Sequence, residues 1–595
     1  MDRPQFMTTA RSRYFVKVDQ LRNHFAKSAS VYVLLYLIAV VVFVHLPSFH
    51  GLVKPDAMKY AGVARNIARG QGAFAMEIHP LAVSGYRYEK PLPGRYIRLP
   101  FGRSYIYPLI LAPFVMAFGA KDVVIFAVGC LFWILAGWLV YLLGKRLFSK
   151  AAGVAGMLIY SAQTKMVAFA VAGITEPACA VILLMAALLL LSKKAPLITA
   201  GFAGFALLAG MFLRQPMILL CPIIAVGFLW FKQGMMPRRV AGLALGGLVA
   251  ILLLTSIKPW LFPGLPPVGL KPAVVEQAVQ KNESSQSPPG VIEDSLRKLF
   301  GVSTLQFSSK YPGHALERST NLGEAVASDM ISPVFEKLRM NLSQIVSIFL
   351  AGLGTPLLSL FFICSIILMR KNAMAQRLIV VAAFMLLGTA AMTVVVFVMP
   401  RYFQLLMPFL VPVIGAGGVA LFVRIQEAKG KGAAIATVTL LFIALGYPGL
   451  FTHLIVPAHG DVALVELQKD LRAARENTAL LLSRSSNPDD VIFSDIPWFS
   501  GWYGDRKSVW TPLSPTETEE LARWIDVKYL FVSFEDSQGF QNWSQWLRAY
   551  REKTESLPLM DWALKDGLIH QGRGMYLFQR PELSAETNPP EAKQP

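Results

Sequence analysis

Pro55-Asp56-Ala57-Met58-Lys59-Tyr60-Ala61-Gly62-Val63-Ala64-Arg65-Asn66-Ile67-Ala68-Arg69-Gly70 follows closely on an apolar run, Ser30 to Leu46. These two neighbours decide the fold class. The run is long enough to enter a bilayer. In the stretch after it, Tyr60, Val63, Ala64 and Ile67 recur at helical spacing from Asp56, which predicts a helix with a packing face. Asp56 heads that helix, where a carboxylate also suits the cap. The surrounding loop, Gly51 to Arg103, carries Lys54, Lys59, Arg65, Arg69, Arg87, Lys90, Arg95, Arg98 and Arg103 against Asp56, Glu77 and Glu89.

The rest of the chain has the composition that such a start demands. With 54% hydrophobic residues and 16% charged over 595 residues, and a mean hydropathy of +0.48, it is a polytopic membrane protein rather than a soluble one. The formal charge of +20 lies largely in short segments between apolar runs, where cytoplasmic loops concentrate Lys and Arg. No zinc-finger or RNP-type motif accompanies it, so nucleic acid is excluded as a partner. Cys130, Cys179, Cys221 and Cys364 all fall inside apolar runs, without a disulfide framework or metal-ligand spacing.

The basic clusters set a topology. Arg3, Arg11, Arg13, Lys17, Arg22 and Lys27 precede the first run, which reads as a retained anchor with a cytoplasmic N-terminus. Further clusters follow every second run: Lys145, Arg146 and Lys150; Lys193 and Lys194; Lys232, Arg238 and Arg239; Arg370, Lys371 and Arg377; Arg424, Lys429 and Lys431. The turns Ile174–Pro177, Leu213–Pro216 and Pro400–Tyr402 then lie outside. This alternation requires Tyr105 to Phe118, broken by Pro108 and Pro113, to be a juxtamembrane helix that does not cross. The total is about eleven crossings, with the C-terminus outside. The loop holding Asp56 is external too. Short external loops avoid Lys and Arg, so its cations fit an anionic lipid or phosphate ligand.

Four parts result: a cytoplasmic segment, 1–29; a membrane domain, 30–450, with external loops 47–121 and 259–340; a small α/β domain, 451–582; and a disordered tail, 583–595. The long loop is expected to hold short helices at Val291 to Phe300 and Ile331 to Leu338. In the α/β domain the pattern predicts helices at Val462 to Leu482, Pro515 to Ile525 and Phe540 to Lys553. Strands are expected at Asp490 to Asp495 and Val527 to Phe534, and a hairpin at Leu568 to Arg580.

An external Asp followed by Tyr-Ala and Ala-Arg-Asn on a helix ending in Gly, an aromatic-Pro-Leu segment closing on Phe118-Gly119, then Thr175-Glu176 and Arg401-Tyr402: this order resembles the GT-C glycosyltransferases. Within that class it is most similar to the protein O-mannosyltransferases and the bacterial lipid A aminoarabinose transferases. The likeness is strongest from Ser30 to Leu191. Ser508-Val509-Trp510-Thr511-Pro512 and Val527-Lys528-Tyr529-Leu530-Phe531-Val532 look like the outer domain of bacterial members.

The resemblance implies a GT-C-like membrane domain in a bacterial inner membrane. It implies transfer of a sugar, with inversion, from a polyprenyl-phosphate donor to a lipid, glycan or protein acceptor on the outer face. Asp56 would be the general base, with Glu176 the acidic residue at the later turn. An inverting transfer needs one carboxylate to take the acceptor proton and cations to stabilise the departing phosphate. Arg103, Lys90, Arg214 and Arg401 lie at external boundaries and are the candidate phosphate ligands; Tyr60, Arg65 and Tyr402 are candidate pocket residues. No cofactor is expected. Glu77 and His79 have no metal-ligand spacing, and Ala57 stands where many relatives carry a second acid. Tyr107-Pro108 stands where they carry Pro-Pro. A transporter of lipid-linked glycans is the rival class, but such proteins show repeats and mid-membrane charges. A non-catalytic scaffold is the other rival.

Overall fold

The computed structural model describes residues 29–78, 105–214, 216–231, 236–262, 339, 342, 356–395, 400–450, 462–511, 518, 521–522, 525–533, 563–570 and 573–580. Lys90, Arg103, His79, the expected helices at Val291 to Phe300, Ile331 to Leu338 and Phe540 to Lys553, most of Pro515 to Ile525, and residues 583–595 lie outside them.

The membrane part is helical: α1 (Ala29–His45), α2 (Pro55–Ala68), α3 (Ile106–Phe118), α4 (Asp122–Leu147), α5 (Lys150–Ser161), α6 (Thr164–Val171), α7 (Glu176–Leu191), α8 (Pro196–Met211), α9 (Met217–Trp230), α10 (Met236–Leu261), α11 (Pro356–Leu368), α12 (Ala373–Val395), α13 (Pro400–Phe403) and α14 (Met407–Leu450). Val31, Leu35 and Phe43 on α1 and Leu245, Leu248 and Leu252 on α10 are exposed, as a face against lipid requires. Four helices among the described residues are long and apolar enough to cross a membrane, or five if α5 and α6, bent by 62°, count as one span. The expectation of about eleven crossings is not reached by this count. Helix length is the reason: α7, with 16 residues, rises roughly 24 Å against a hydrocarbon core of about 30 Å.

Helices α8 and α10 approach closely because glycines face backbone across the contact. A methyl group on Gly246 would overlap the Gly201 carbonyl, and one on Gly204 the Leu243 carbonyl. Small residues permit such approach where dispersion, rather than hydrophobic burial, holds helices together. A helix forms over the segment expected to be juxtamembrane, α3, and packs against α2 with Tyr107 and Leu111 buried. It ends at Gly119, whose φ of 85° few other residues adopt.

The tail is an α/β unit: α15 (Val462–Ser485), β2 (Val491–Ser494), α16 (Pro497–Tyr503), β3 (Lys507–Trp510), β4 (Val527–Ser533), β5 (Ala563–His570) and β6 (Arg573–Gln579). Its sheet has six strands in the order β1-β3-β2-β4-β6-β5, where β1 is Glu77–Ile78 from the first external loop. β1, β2 and β4 each pair in parallel with a neighbour in the row β1-β3-β2-β4, and β6 and β5 add an antiparallel hairpin. The expected helix after residue 462, the strands and the hairpin are present. The sequence reading missed β3 and β1 as strands, and α16 as a helix. β1 also crosses the expected division at residue 451, because its Glu77 and Ile78 pair with Ser508 and Val509. Backbone pairing across a bilayer is impossible, so the tail lies on the same side as the first loop.

Two outcomes follow from this packing. Gly246→Val should destabilise the detergent-purified protein by about 1–3 kcal/mol through overpacking, whereas Gly247→Ala, whose new methyl meets nothing within 4 Å, should leave the thermal midpoint unchanged or raised. Reporter fusions after Gly70 and Asp495 should give the same compartment signal, and a fusion at Lys194 the opposite one; opposite signals at Gly70 and Asp495 would contradict the shared sheet.

Candidate active site

Asp56 is the second residue of α2, after Pro55, whose fixed φ suits the first helical position. Its carboxylate does not cap its own helix. It accepts from Nη1 of Arg401 on α13 at 2.5 Å. Next to this pair, Glu176 opens α7 and is fully buried; Arg214, in the turn between α8 and α9, donates to it through Nη1. The same nitrogen lies 2.8 Å from Thr175 Oγ1. Arg401 Nε stands 4.0 Å from Glu176, and Tyr402 lies beneath both guanidinium groups, 5.4 Å from Arg214 and 5.8 Å from Arg401.

Tyr60, one turn after Asp56, packs edge-on against Tyr107 at 5.3 Å, and the Tyr107 hydroxyl donates to the Gly173 carbonyl just before Glu176. This contact sets α2 against the α6–α7 turn. The structure therefore brings together Asp56, Tyr60, Glu176, Arg214, Arg401 and Tyr402, from three distant parts of the chain. All lie at the ends of helices that the basic-cluster topology places on one face.

The electrostatics divide the cluster into two layers. Burial raises the Asp56 pKa, but Arg401, then Arg214 and Lys59, oppose it, and the carboxyl is held below its ordinary value. Burial, then the charge of Asp56, pushes the Tyr60 phenol up, so it stays protonated. Arg214 is 6% exposed and engaged by Thr175, Glu176 and Tyr402, whereas the Arg401 side chain is 26% exposed. Arg401 is the more accessible of the two guanidinium groups. The four charges of the core sum to zero, leaving each carboxylate with its own arginine. Among the described residues no group of three His, Cys, Asp or Glu is placed to hold a metal ion.

Arg65 is placed elsewhere. It points from α2 into the tail, donating to the carbonyls of Trp502 and Gly501 at 2.8 and 2.6 Å, pairing with Asp505 at 2.8 Å and lying over the Trp502 ring. Burial lowers its pKa to about 10, with Asp505 opposing. A guanidinium with these partners is a docking group rather than a pocket wall. Asp122, which the sequence reading passed over, completes the docking. Its carboxylate accepts from Leu52 N at 3.1 Å, from Trp502 Nε1 at 2.7 Å and from the Tyr503 hydroxyl at 2.7 Å. Its one sequence signal was an acid in the first turn of a span.

Residues 103–260 match the family described as dolichyl-phosphate-mannose-protein mannosyltransferase. The match spans α3 to α10 and contains Glu176 and Arg214, in agreement with the resemblance read from the sequence. Similar solved structures include ArnT from Cupriavidus metallidurans in the apo state, at 12% identity and a TM-score of 0.46, covering 93% of this chain and 98% of that one. ArnT from the same organism bound to undecaprenyl phosphate is similar at 13% identity and a TM-score of 0.48, with the same coverage of 93% and 98%. The archaeal oligosaccharyltransferase AglB from Archaeoglobus fulgidus, in complex with an inhibitory peptide and a dolichol-phosphate, is similar at 13% identity and a TM-score of 0.47, covering 95% of this chain and 75% of that one. No curated protein sequence matches the chain.

The two layers should separate on mutation. Arg214→Met leaves Glu176 buried without its partner and should cost about 3–5 kcal/mol of stability. Arg401→Met should cost about 1 kcal/mol or less, since its pair with Asp56 is partly solvated. Denaturation of the two purified variants checks this; equal losses would mean that Arg401 belongs to the structural layer.

Proposed function

We propose that this protein is a membrane glycosyltransferase that moves a sugar, with inversion, from a polyprenyl-phosphate carrier to an acceptor on the outer face of a bacterial inner membrane. The observation that carries the reading is the Asp56–Arg401 pair at the external helix ends, backed by the buried Glu176–Arg214 pair. One carboxylate and one accessible guanidinium, side by side, are the base and the phosphate ligand that such a transfer needs. The match over residues 103–260 to a family named for a dolichyl-phosphate sugar supports the donor class.

In this mechanism the donor phosphate approaches Arg401 from the bilayer. Its negative charge competes with Asp56 for the guanidinium, so the carboxylate becomes more basic as the donor arrives. Asp56 then takes the acceptor hydroxyl proton while the acceptor oxygen forms its bond to the anomeric carbon from the opposite face. The bond between that carbon and the phosphate oxygen breaks, and its electron pair leaves on the polyprenyl phosphate. Arg401 stabilises the extra charge there. Glu176, neutralised by Arg214, fixes that arginine and Tyr402 rather than taking a proton. Transfer is proposed to be metal-independent, since both carboxylates face guanidinium groups that would repel a divalent cation.

Lys90 and Arg103 remain proposed donor ligands on sequence grounds alone. A transporter reading gains nothing from the site, because a base paired with one accessible cation is chemistry that transport does not need. The scaffold reading predicts that Asp56 is dispensable.

Asp56→Asn should lower transfer by about 100-fold or more, the scale of a general base, with expression retained. Because Arg401 holds the Asp56 carboxyl below its ordinary value, wild-type activity should show no acid limb from this group near neutral pH. Arg401→Met leaves burial as the main influence, so the limb should move to higher pH. Arg401→Lys keeps the charge without the planar fork and should mainly weaken donor binding. Rate–pH profiles with a radiolabelled polyprenyl-phosphate sugar test all three; a wild-type rate in Asp56→Asn, or activity lost on chelation and restored by a divalent ion, would refute the mechanism.

A further inference from the structure

Between α2 and the tail sheet, a second cluster begins where the site ends. Lys59, one helical turn from Asp56 and close enough to influence its charge, reaches toward the tail sheet and pairs with Glu77 Oε1 on β1 at 2.8 Å. The same oxygen accepts from Trp510 Nε1, at the end of β3, at 2.6 Å. Trp510 in turn packs against Trp498 of α16, with ring centroids 4.9 Å apart and planes inclined by 55°. The result is a continuous path: Asp56, Lys59, Glu77, Trp510, Trp498.

This path runs along the carboxyl edge of the parallel strands. Trp510 ends β3 and Trp498 lies in the first turn of α16, just after β2, so both indoles stand at this edge. From β2 the chain passes to β3 on one side and returns to β4 on the other, so the reversal lies between β2 and β4, and Trp498, which follows β2, stands beside it. The carboxyl edge at such a reversal is where open α/β sheets take ligands. A clamp that served only to hold β1 would be expected to satisfy its own polar atoms. Glu77 Oε2 is instead buried without a hydrogen-bond partner among the described residues, and both tryptophans are only half-buried.

We propose that Trp498, Trp510, Glu77 and Lys59 form the acceptor subsite, and that the acceptor they take is a saccharide. The inference rests on Asp56 as the transfer centre. A pyranose has an apolar face of C–H groups and a polar rim of hydroxyls. Half-buried indole rings stack on the face, and a carboxylate and an ammonium within hydrogen-bond reach serve the rim as acceptor and donor. Lys59 lies one helical turn from Asp56, so an acceptor held by this cluster presents its rim beside the base.

The test uses the full-length protein in detergent, applied to an array of immobilised oligosaccharides and, in a parallel arm, to immobilised Ser- and Thr-containing peptides. The wild type should retain on a subset of the oligosaccharides. Trp498→Ala should reduce that retention roughly tenfold, the scale of losing one stacked ring; Trp498→Phe should recover part of it, and Glu77→Gln should weaken it while keeping volume. Asp56→Asn, which loses the base but keeps both indoles, Glu77 and Lys59, should lose less retention than Trp498→Ala. Retention on peptides instead, on neither array, or on oligosaccharides equally by wild type and Trp498→Ala overturns the subsite. The transfer rate of Asp56→Asn is measured apart from binding, so failure of the subsite and failure of the glycosyltransferase reading give different results.

Discussion

Charge balance at the edge of a low-dielectric slab is the constraint on which this site depends. Glu176 is fully buried, and an isolated carboxylate at such depth is so costly that it would protonate or move. Arg214 removes that penalty, and Thr175 and Tyr402 hold the arginine in turn. With Glu176 satisfied chiefly by Arg214, Arg401 turns its Nη1 to Asp56, in a pair that keeps about a quarter of its surface open. The inner pair lets the outer pair be reactive without being unstable.

Asp56 is also fixed by its helix, which is gripped from two directions. Tyr60 against Tyr107 seats α2 on the membrane domain, and Arg65 inserted under Trp502 seats it on the tail. The loop leading into α2 is held as well, where Asp122 binds Leu52 N and the Arg475 guanidinium donates to the His50 carbonyl. A helix pinned at its entry and along two faces gives the Asp56 carboxylate a fixed direction, which the proposed proton transfer needs.

The candidate residues are picked out of the sequence by the family resemblance, together with charge patterning that reports membrane side. Asp56, Glu176, Arg214 and Arg401 each stand at an apolar-run boundary, and the alternation of Lys and Arg assigned those boundaries to one face; convergence followed from geometry. What escaped is what pairs at long range. β1 is two residues long, Glu77–Ile78, and its partners lie more than 400 residues later, so no local period could announce it. Arg65 sits in the same motif as Asp56, but helix rotation turns it to the tail; motif membership carried it into the wrong set. Asp122 looked like a first-turn acid of a span, and only the tail's Trp502 and Tyr503 reveal its work. The described helices that meet the length of a crossing number four or five, because an apolar run and the helix inside it differ in length, as the 16 residues of α7 show.

The strand taken from the first loop has a consequence for synthesis. β1 leaves the ribosome long before β3 exists, so its backbone groups and the partners of Arg65 remain unsatisfied until most of the chain has been made and its last soluble portion exported. Helix α2 cannot settle in its final orientation before then. The seating of α2 is thus timed by strands in the last fifth of the chain, and an interrupted chain inserts its membrane helices with Arg65 and β1 still unmatched.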